Sequence, residues 1–263
     1  MWGGREPKAK QWDWTDDTAL ALEVVAELRE HERIHPDTLA RRFARRYLHE
    51  PARGYGMAMY SLLPRLERED WRQVASEMFD GKGSYGNGSA MRVAPLGAYF
   101  ADDLDLLVEQ ARLSAIVTHS HEEAVAGAIA TAVAAGIGAR LREDDGDMNP
   151  LQFLSEIINC IPESEVKTRL IRCRELPLGA TAEQVAALVG SGSLVACHDT
   201  VPFCCWCAAR CMTDFQEAMW QTVAGLGDRD TTCAIVGGTV GARVGIEGLP
   251  ASWMVRREPL DWN

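Results

Sequence analysis

The chain has no long apolar run near its start. Met1 to Trp14 reads MWGGREPKAKQWDW, polar and holding Gly, Lys and Arg, unlike the apolar stretch of a secretory leader. The most apolar later segment, 124–139, is mostly Ala and Gly and reads as falling short of a membrane span. A soluble, cytoplasmic protein is the expectation. Positive charge is also scarce: 27 Lys and Arg stand against 38 Asp and Glu, a formal charge of −11. General binding to a phosphate backbone needs a positive surface, so nucleic acid is a poor choice of partner. Strict two-residue alternation is almost absent, and with it the pattern of half-buried strands. Neither GxxxxGK[ST] nor GxGxxG after a strand occurs, so neither standard nucleotide fingerprint applies. Internal repeats and low-complexity tracts are missing. The 8 cysteines accompany no secretory signal in a chain of this size, which argues against a disulfide framework.

What is present is enough for a substantial core. The 263 residues are 47% hydrophobic and 25% charged, with 8 Trp, a composition of a folded rather than a disordered chain. Its periodicity is helical nearly throughout. Ala21, Val24, Val25 and Leu28 form the apolar stripe of a helix starting near Asp17. Pro36 and Asp37 open a second helix, which stops before Pro51. Further helices are predicted over 70–79, from Asp102 and Asp103 to about Val117, over 181–189 and over 213–226. Segments 122–140 and 232–244 are rich in Ala, Gly and Val all round, as central, closely packed helices are. The fold class is all-α, one domain spanning 1–263. Segments 141–150 (LREDDGDMNP) and 190–193 (GSGS) read as ordinary surface connections.

Three loops carry the unusual residues. Asp16 and Asp17 sit beside Thr15 at one helix start, and Asp228 and Asp230 beside Thr231 at another. Carboxylates and hydroxyls are the hard oxygen ligands that Mg²⁺ and Ca²⁺ prefer. Either pair alone is more simply a helix cap; two such clusters far apart in sequence favour one shared metal site. The third loop, 81–95, reads GKGSYGNGSAMRVAP. Gly81, Gly83, Gly86 and Gly88 permit close approach and positive φ, and main-chain N–H groups in such a loop can form an anion nest. Alone, it is as readily a plain turn. His119 and His121 flank Ser120, either as hydrogen-bonding groups or as the junction of two helices. Cys204, Cys207 and Cys211 share a helix face with no second CxxC pair, which suits buried thiols better than zinc. Asp199, Thr200 and Pro202 are placed ahead of that helix, facing a ligand.

Taken together, WTDDT at 14–18, GSYGNGSAMRVAP at 83–95, THSHEEAVAGA at 118–128, DTVPF at 199–203 and GDRDTTCAIVGG at 227–238 resemble the ADP-ribosylglycohydrolase family. That family includes the dinitrogenase-reductase-activating glycohydrolase and the ADP-ribosylarginine and ADP-ribosylserine hydrolases. The resemblance implies a compact orthogonal helical bundle around a dinuclear Mg²⁺ centre, with Mn²⁺ as a substitute. It implies metal ligation by Thr15, Asp16, Asp17, Asp228, Asp230 and Thr231, with Asp230 bridging the ions and Asp16, Asp17 and Asp230 catalytic. Gly83, Ser84, Tyr85, Gly86 and Asn87 would hold the diphosphate and neighbouring sugar of ADP-ribose, with His119 near the scissile end. The substrate would be an ADP-ribosylated protein or an ADP-ribosyl small molecule, and the enzyme a monomer.

The chain departs from the family chiefly in one respect, with Arg229 between the two aspartates and Ser191 in the GSGS connection as lesser variations bearing on the acceptor. The family carries a GDALG-like helix with a functional glutamate well upstream of its TDD motif. Only 14 residues precede Thr15 here, and Glu6 is too close to match. The expectation is a chain that binds ADP-ribose but turns over slowly, with apolar surface exposed beside the site and a tendency to associate. Three readings follow: a Mg²⁺-dependent hydrolase releasing ADP-ribose, a metal-bearing ADP-ribose-binding protein with little turnover, or a Mg²⁺ hydrolase of another ribosylated small molecule.

Overall fold

The structure, a computed structural model, describes residues 6–177 and 179–261. Among them lie fourteen α-helices and two 3₁₀ turns; extended pairing is limited to two isolated bridges, Trp12 with Arg257 and Gly86 with Ala196. The all-α expectation holds.

The bundle is organised around α7 (Glu122–Glu143), whose Ala124 and Ala126 to Gly138 are buried without a break. A helix buried on every side needs small residues where its neighbours cross. α5 (Ala94–Tyr99), α6 (Leu104–Ile116), α11 (Cys197–Arg210) and α13 (Arg229–Val244) all pack on it. At the α5 crossing the backbones come so close that a Cβ on Gly97 would lie 2.0 Å from the Ala132 carbonyl oxygen. This helix is longer than the sequence reading made it. Its 22 residues are long and apolar enough to cross a membrane, but it is mostly buried in the bundle, which makes it a core helix.

Around it run α1 (Asp16–His31), α2 (Pro36–His49), α3 (Met57–Arg65) and α4 (Trp71–Gly81) on one side, and α8 (Pro150–Cys160), α9 (Glu165–Glu175), α10 (Ala182–Val189) and α12 (Phe215–Ala224) on another, followed by the short α14 (Ala251–Met254). Sequence reading missed α3, α5, α8, α9 and α14. α5 is six residues with Pro at its start, too short for a period. Segment 141–150 is no plain connection: it holds the end of α7, and Asn149 caps α8 by accepting from Gln152 N–H. In α4 helical geometry stops at Glu77. Phe79 and Asp80 take φ of 52° and 58°, turning the chain into the glycine-rich loop.

Half of the described α-helix starts have side-chain caps. Asp70, Asp103, Asn149, Ser164, Thr181 and Asp214 each accept a hydrogen bond from a first-turn N–H. Each such cap contributes roughly 1 kcal/mol. The α1 and α13 starts, which carry Asp16, Asp17, Asp228 and Asp230, are among those without a side-chain cap.

Candidate active site

Thr15 and Asp228 occupy the N-cap positions of α1 and α13, yet neither side chain caps its helix. The Thr15 hydroxyl instead donates to Asp17 Oδ2 at 2.6 Å. Asp228 Oδ2 accepts from Asn87 Nδ2 at 2.7 Å, and the same amide donates to Thr200 Oγ1 at 3.1 Å. The simple capping reading therefore fails for both clusters. The approach to α1 is clamped from outside: Asp16 N–H donates to the Arg53 carbonyl, while the Arg53 guanidinium lies 3.4 Å over the Trp14 ring and pairs with Glu258 and Glu50.

These starts meet at one cleft of about 500 Å³, lined by Asp16, Asp228, Asp230 and Thr231 together with Ser84, Tyr85, Gly86, Asn87, Gly88 and His119. Asp17 sits behind them, 3% exposed, and its Oδ1 is buried without a hydrogen-bond partner. Burial, then the Asp17 carboxylate, push Asp16 up to about 7, with Asp230 and Asp228 acting in the same direction. Burial pushes Asp17 to about 6, aided by Asp230 and opposed by the Thr15 hydroxyl. Burial and the adjacent Asp230 likewise hold Asp228 at about 6. Asp16, Asp17 and Asp228 resist ionising because each new charge faces neighbouring carboxylates in a poorly hydrated space. An orphaned carboxylate oxygen, two hydroxyls and four carboxyl groups form an all-oxygen donor set that fits hard divalent cations. The carboxylates ring the floor rather than meeting at a point: among the described residues, no three of them offer oxygens within 4.8 Å of one another.

The glycine-rich loop lines the same cleft. Gly81 and Gly83 take positive φ, but Gly86, at −59°, does not. The positive-φ expectation is thus corrected for Gly86 and Gly88: their small size serves close packing. A Cβ on Gly88 would stand 2.9 Å from His119 Cε1, and one on Gly86 would stand 3.2 Å from His119 Nε2. His119 is 3% exposed, and burial, with Arg92 adding, pushes it down to about 3, so it is neutral. Arg92 Nη2 donates to Thr118 Oγ1 at 2.9 Å, and that oxygen lies 2.7 Å from His119 Nδ1. The Thr118 hydroxyl thus holds the ring by Nδ1 and turns Nε2 toward the loop glycines. His121 has a different role, capping α7 through Nδ1. Tyr85 is partly exposed beside Phe79, their centroids 5.6 Å apart.

Other residues fall in unexpected places. The 190–193 segment is no ordinary connection. Ser191 Oγ donates to the Gly225 carbonyl at 2.8 Å, and its own carbonyl accepts from Asp228 N–H at 3.1 Å, so it holds the α13 start. Only GSGS marked it in the sequence, and that is a flexible-linker pattern. Asp199 and Thr200 lie inside α11, not ahead of it. Asp199 accepts from Leu194 N–H, and Thr200 receives the Asn87 amide. The cysteines are free thiols, with Cys204, Cys205 and Cys207 buried. Glu6 is engaged elsewhere, accepting from Trp253 Nε1 at 2.8 Å and pairing with Arg256. Beside Asp17, an apolar groove runs between Ala21 and Val25 of α1, Ala94 of α5, and Ala234 and Gly238 of α13.

Comparison with known proteins agrees with this architecture. The sequence model of the ADP-ribosylglycohydrolases matches residues 2–262. Human ADP-ribosylhydrolase ARH3 is 30% identical over 273 residues, covering 91% of this chain and 73% of that protein. ADP-ribosylhydrolase ARH3 of Xenopus tropicalis is 29% identical, covering 95% and 80%. A solved structure titled ADP-ribosylglycohydrolase-related protein complex shares the fold with a TM-score of 0.65 at 23% identity, covering 93% of this chain and 76% of that one. The match is continuous along both sequence and fold, and the chain belongs to the ADP-ribosylglycohydrolase family, a family of hydrolases.

Proposed function

We propose that the protein hydrolyses, with Mg²⁺, the N- or O-glycosidic bond linking ADP-ribose to a protein side chain, releasing ADP-ribose. One observation carries this reading: the two acidic helix starts, neither capped by its own N-cap side chain, bring Asp16, Asp228, Asp230 and Thr231 to one shared cleft. Thr15, Asp16, Asp17, Asp228, Asp230 and Thr231 would hold two Mg²⁺, or Mn²⁺ in their place. Bound there, the ions would supply Lewis acidity toward a water and the ribose hydroxyls.

The chain's own groups do the rest. Asn87 aims Asp228 through a 2.7 Å hydrogen bond. Loop 83–87 receives the diphosphate and adjoining sugar, and His119 Nε2 faces the sugar end. The Tyr85 and Phe79 rings at the mouth offer a face to the base. Asp16, Asp17 and Asp230 oppose the positive charge that develops on the anomeric carbon as the bond breaks.

A second reading, binding with little turnover, draws on the cleft lining. Among its described residues the only carboxylates are Asp16, Asp228 and Asp230, all assigned to the metals, so a separate acceptor for the water's proton is missing. Incubation with arginine-linked and serine-linked ADP-ribosyl substrates, with and without Mg²⁺, tests both readings. Mg²⁺-dependent release supports hydrolysis. Tight ADP-ribose binding without release from either substrate supports the second reading.

A further inference from the structure

We propose a zinc site, separate from the acidic cleft, formed by Glu27, His31 and His35 where α1 passes into α2. Glu27 and His31 stand four residues apart, on one face of the last turns of α1. His35 is the residue before α2. One carboxylate oxygen and one nitrogen from each ring lie within 4.8 Å of one another.

The surroundings suit a cation. Glu27 is fully buried. Its Oε2 accepts from Arg42 Nε at 2.9 Å, whereas Oε1 faces His35, accepting its N–H at 3.1 Å and lying 3.5 Å from Nδ1. Arg42 also pairs with Glu30, so within this trio one guanidinium serves two carboxylates and the balance is negative. The two imidazoles meet edge to face with centroids 5.0 Å apart. Their side chains are 30% and 49% exposed, which gives a hydrated ion a route in and leaves room for water as a fourth ligand.

Donor chemistry selects the metal. Two imidazoles and a carboxylate form a nitrogen-rich set that zinc takes and Mg²⁺ does not. Tetrahedral zinc at about 2.0–2.2 Å from each donor brings its ligand atoms to about 3.3 Å apart. The partly exposed rings can close that gap by side-chain rotation. Asp16 and His31 are fifteen residues apart on α1, about 22 Å at 1.5 Å per residue, so this site shares no ligand with the cleft. A bound ion would tie the end of α1 to the start of α2.

The test uses metal-free full-length protein with its cleft filled by excess Mg²⁺. Calorimetric titration with Zn²⁺ is expected to show one site per chain. Co²⁺ in its place is expected to give the visible bands of a tetrahedral nitrogen–oxygen site without the near-ultraviolet band of thiolate ligands. His31→Gln with His35→Gln should weaken Zn²⁺ at least tenfold and abolish the rise in melting temperature that Zn²⁺ causes. Asp230→Ala should leave Zn²⁺ binding intact, and Glu27→Gln provides a second ligand variant should the double variant fold poorly by circular dichroism. Unchanged Zn²⁺ affinity in folded ligand variants, displacement of Zn²⁺ by Mg²⁺, or a thiolate band would each overturn the proposal.

Discussion

At Asn87 a single amide decides where a carboxylate points. Its Nδ2 holds Asp228 Oδ2 and Thr200 Oγ1, so Asn87→Ala should free the Asp228 side chain and weaken Mg²⁺ binding several-fold in calorimetry. Asp16→Ala and Asp230→Ala remove anionic oxygens outright, and each should abolish most Mg²⁺ binding while the helices remain by circular dichroism. Unchanged affinity in both would mean that the two helix starts share no ion. The glycine wall responds differently. Gly88→Ala sets a methyl 2.9 Å from the buried His119 ring, and that ring is pinned through Thr118 and Arg92. ADP-ribose affinity should fall about tenfold, or about 1.4 kcal/mol, with Mg²⁺ affinity unaltered. Equal ADP-ribose affinity in this variant would reduce the loop to a connection. The oxygen-ligand character of Thr15, Asp16, Asp17, Asp228, Asp230 and Thr231 was legible in the sequence, because residue type alone sets ligand hardness. The roles of Asn87 and Thr118 were not, since each depends on a partner from another helix or loop.

Elements are positioned by how closely their backbones approach. α5 meets α7 at Gly97, where any side chain would strike the Ala132 carbonyl. Gly97→Ala should lower stability by about 1–3 kcal/mol, the range for overpacking a core, and is read as a fall in melting temperature. Ser191 bonds the Gly225 carbonyl and the Asp228 N–H, linking segment 190–193 to the start of α13. Ser191→Ala removes one of these bonds, worth about 1 kcal/mol, and should weaken metal binding through a looser Asp228 without emptying the cleft. Periodicity found α1, α2, α6 and α7 because each is long and has a face or a composition to read. It missed α5, which is six residues long and largely buried, so no polar face marks it off.

Across the whole molecule, the acidic cleft links stability to pH and to metal. Asp16, Asp17 and Asp228 hold their protons up to about 7, 6 and 6, whereas an unfolded aspartate releases its proton near 3.8. Between about pH 4 and 7 the folded chain therefore binds more protons than the unfolded one. The contribution of these groups to stability falls as pH rises through that window and stays low above it. Mg²⁺ reverses the effect by binding the ionised carboxylates. Thermal melts should show a larger Mg²⁺ stabilisation at pH 8 than at pH 5, about 2.7 kcal/mol when the ion stands at a hundred times its dissociation constant. Equal stabilisation at both pH values would show that the ion is not meeting these carboxylates.

The sequence by itself determined the helical class, the central place of the Ala-rich segments, and the chemistry of the acidic and glycine-rich motifs. Those follow from composition and local spacing. Only the tertiary structure decided that Asp16 and Asp230, more than two hundred residues apart, face one cleft, and that Ser191 belongs to the support of that cleft. It alone showed that the uncapped helix starts are directed at each other and that Glu27, His31 and His35 converge. Such contacts arise from how helices cross, which side-chain volume and backbone approach decide and local periodicity does not encode.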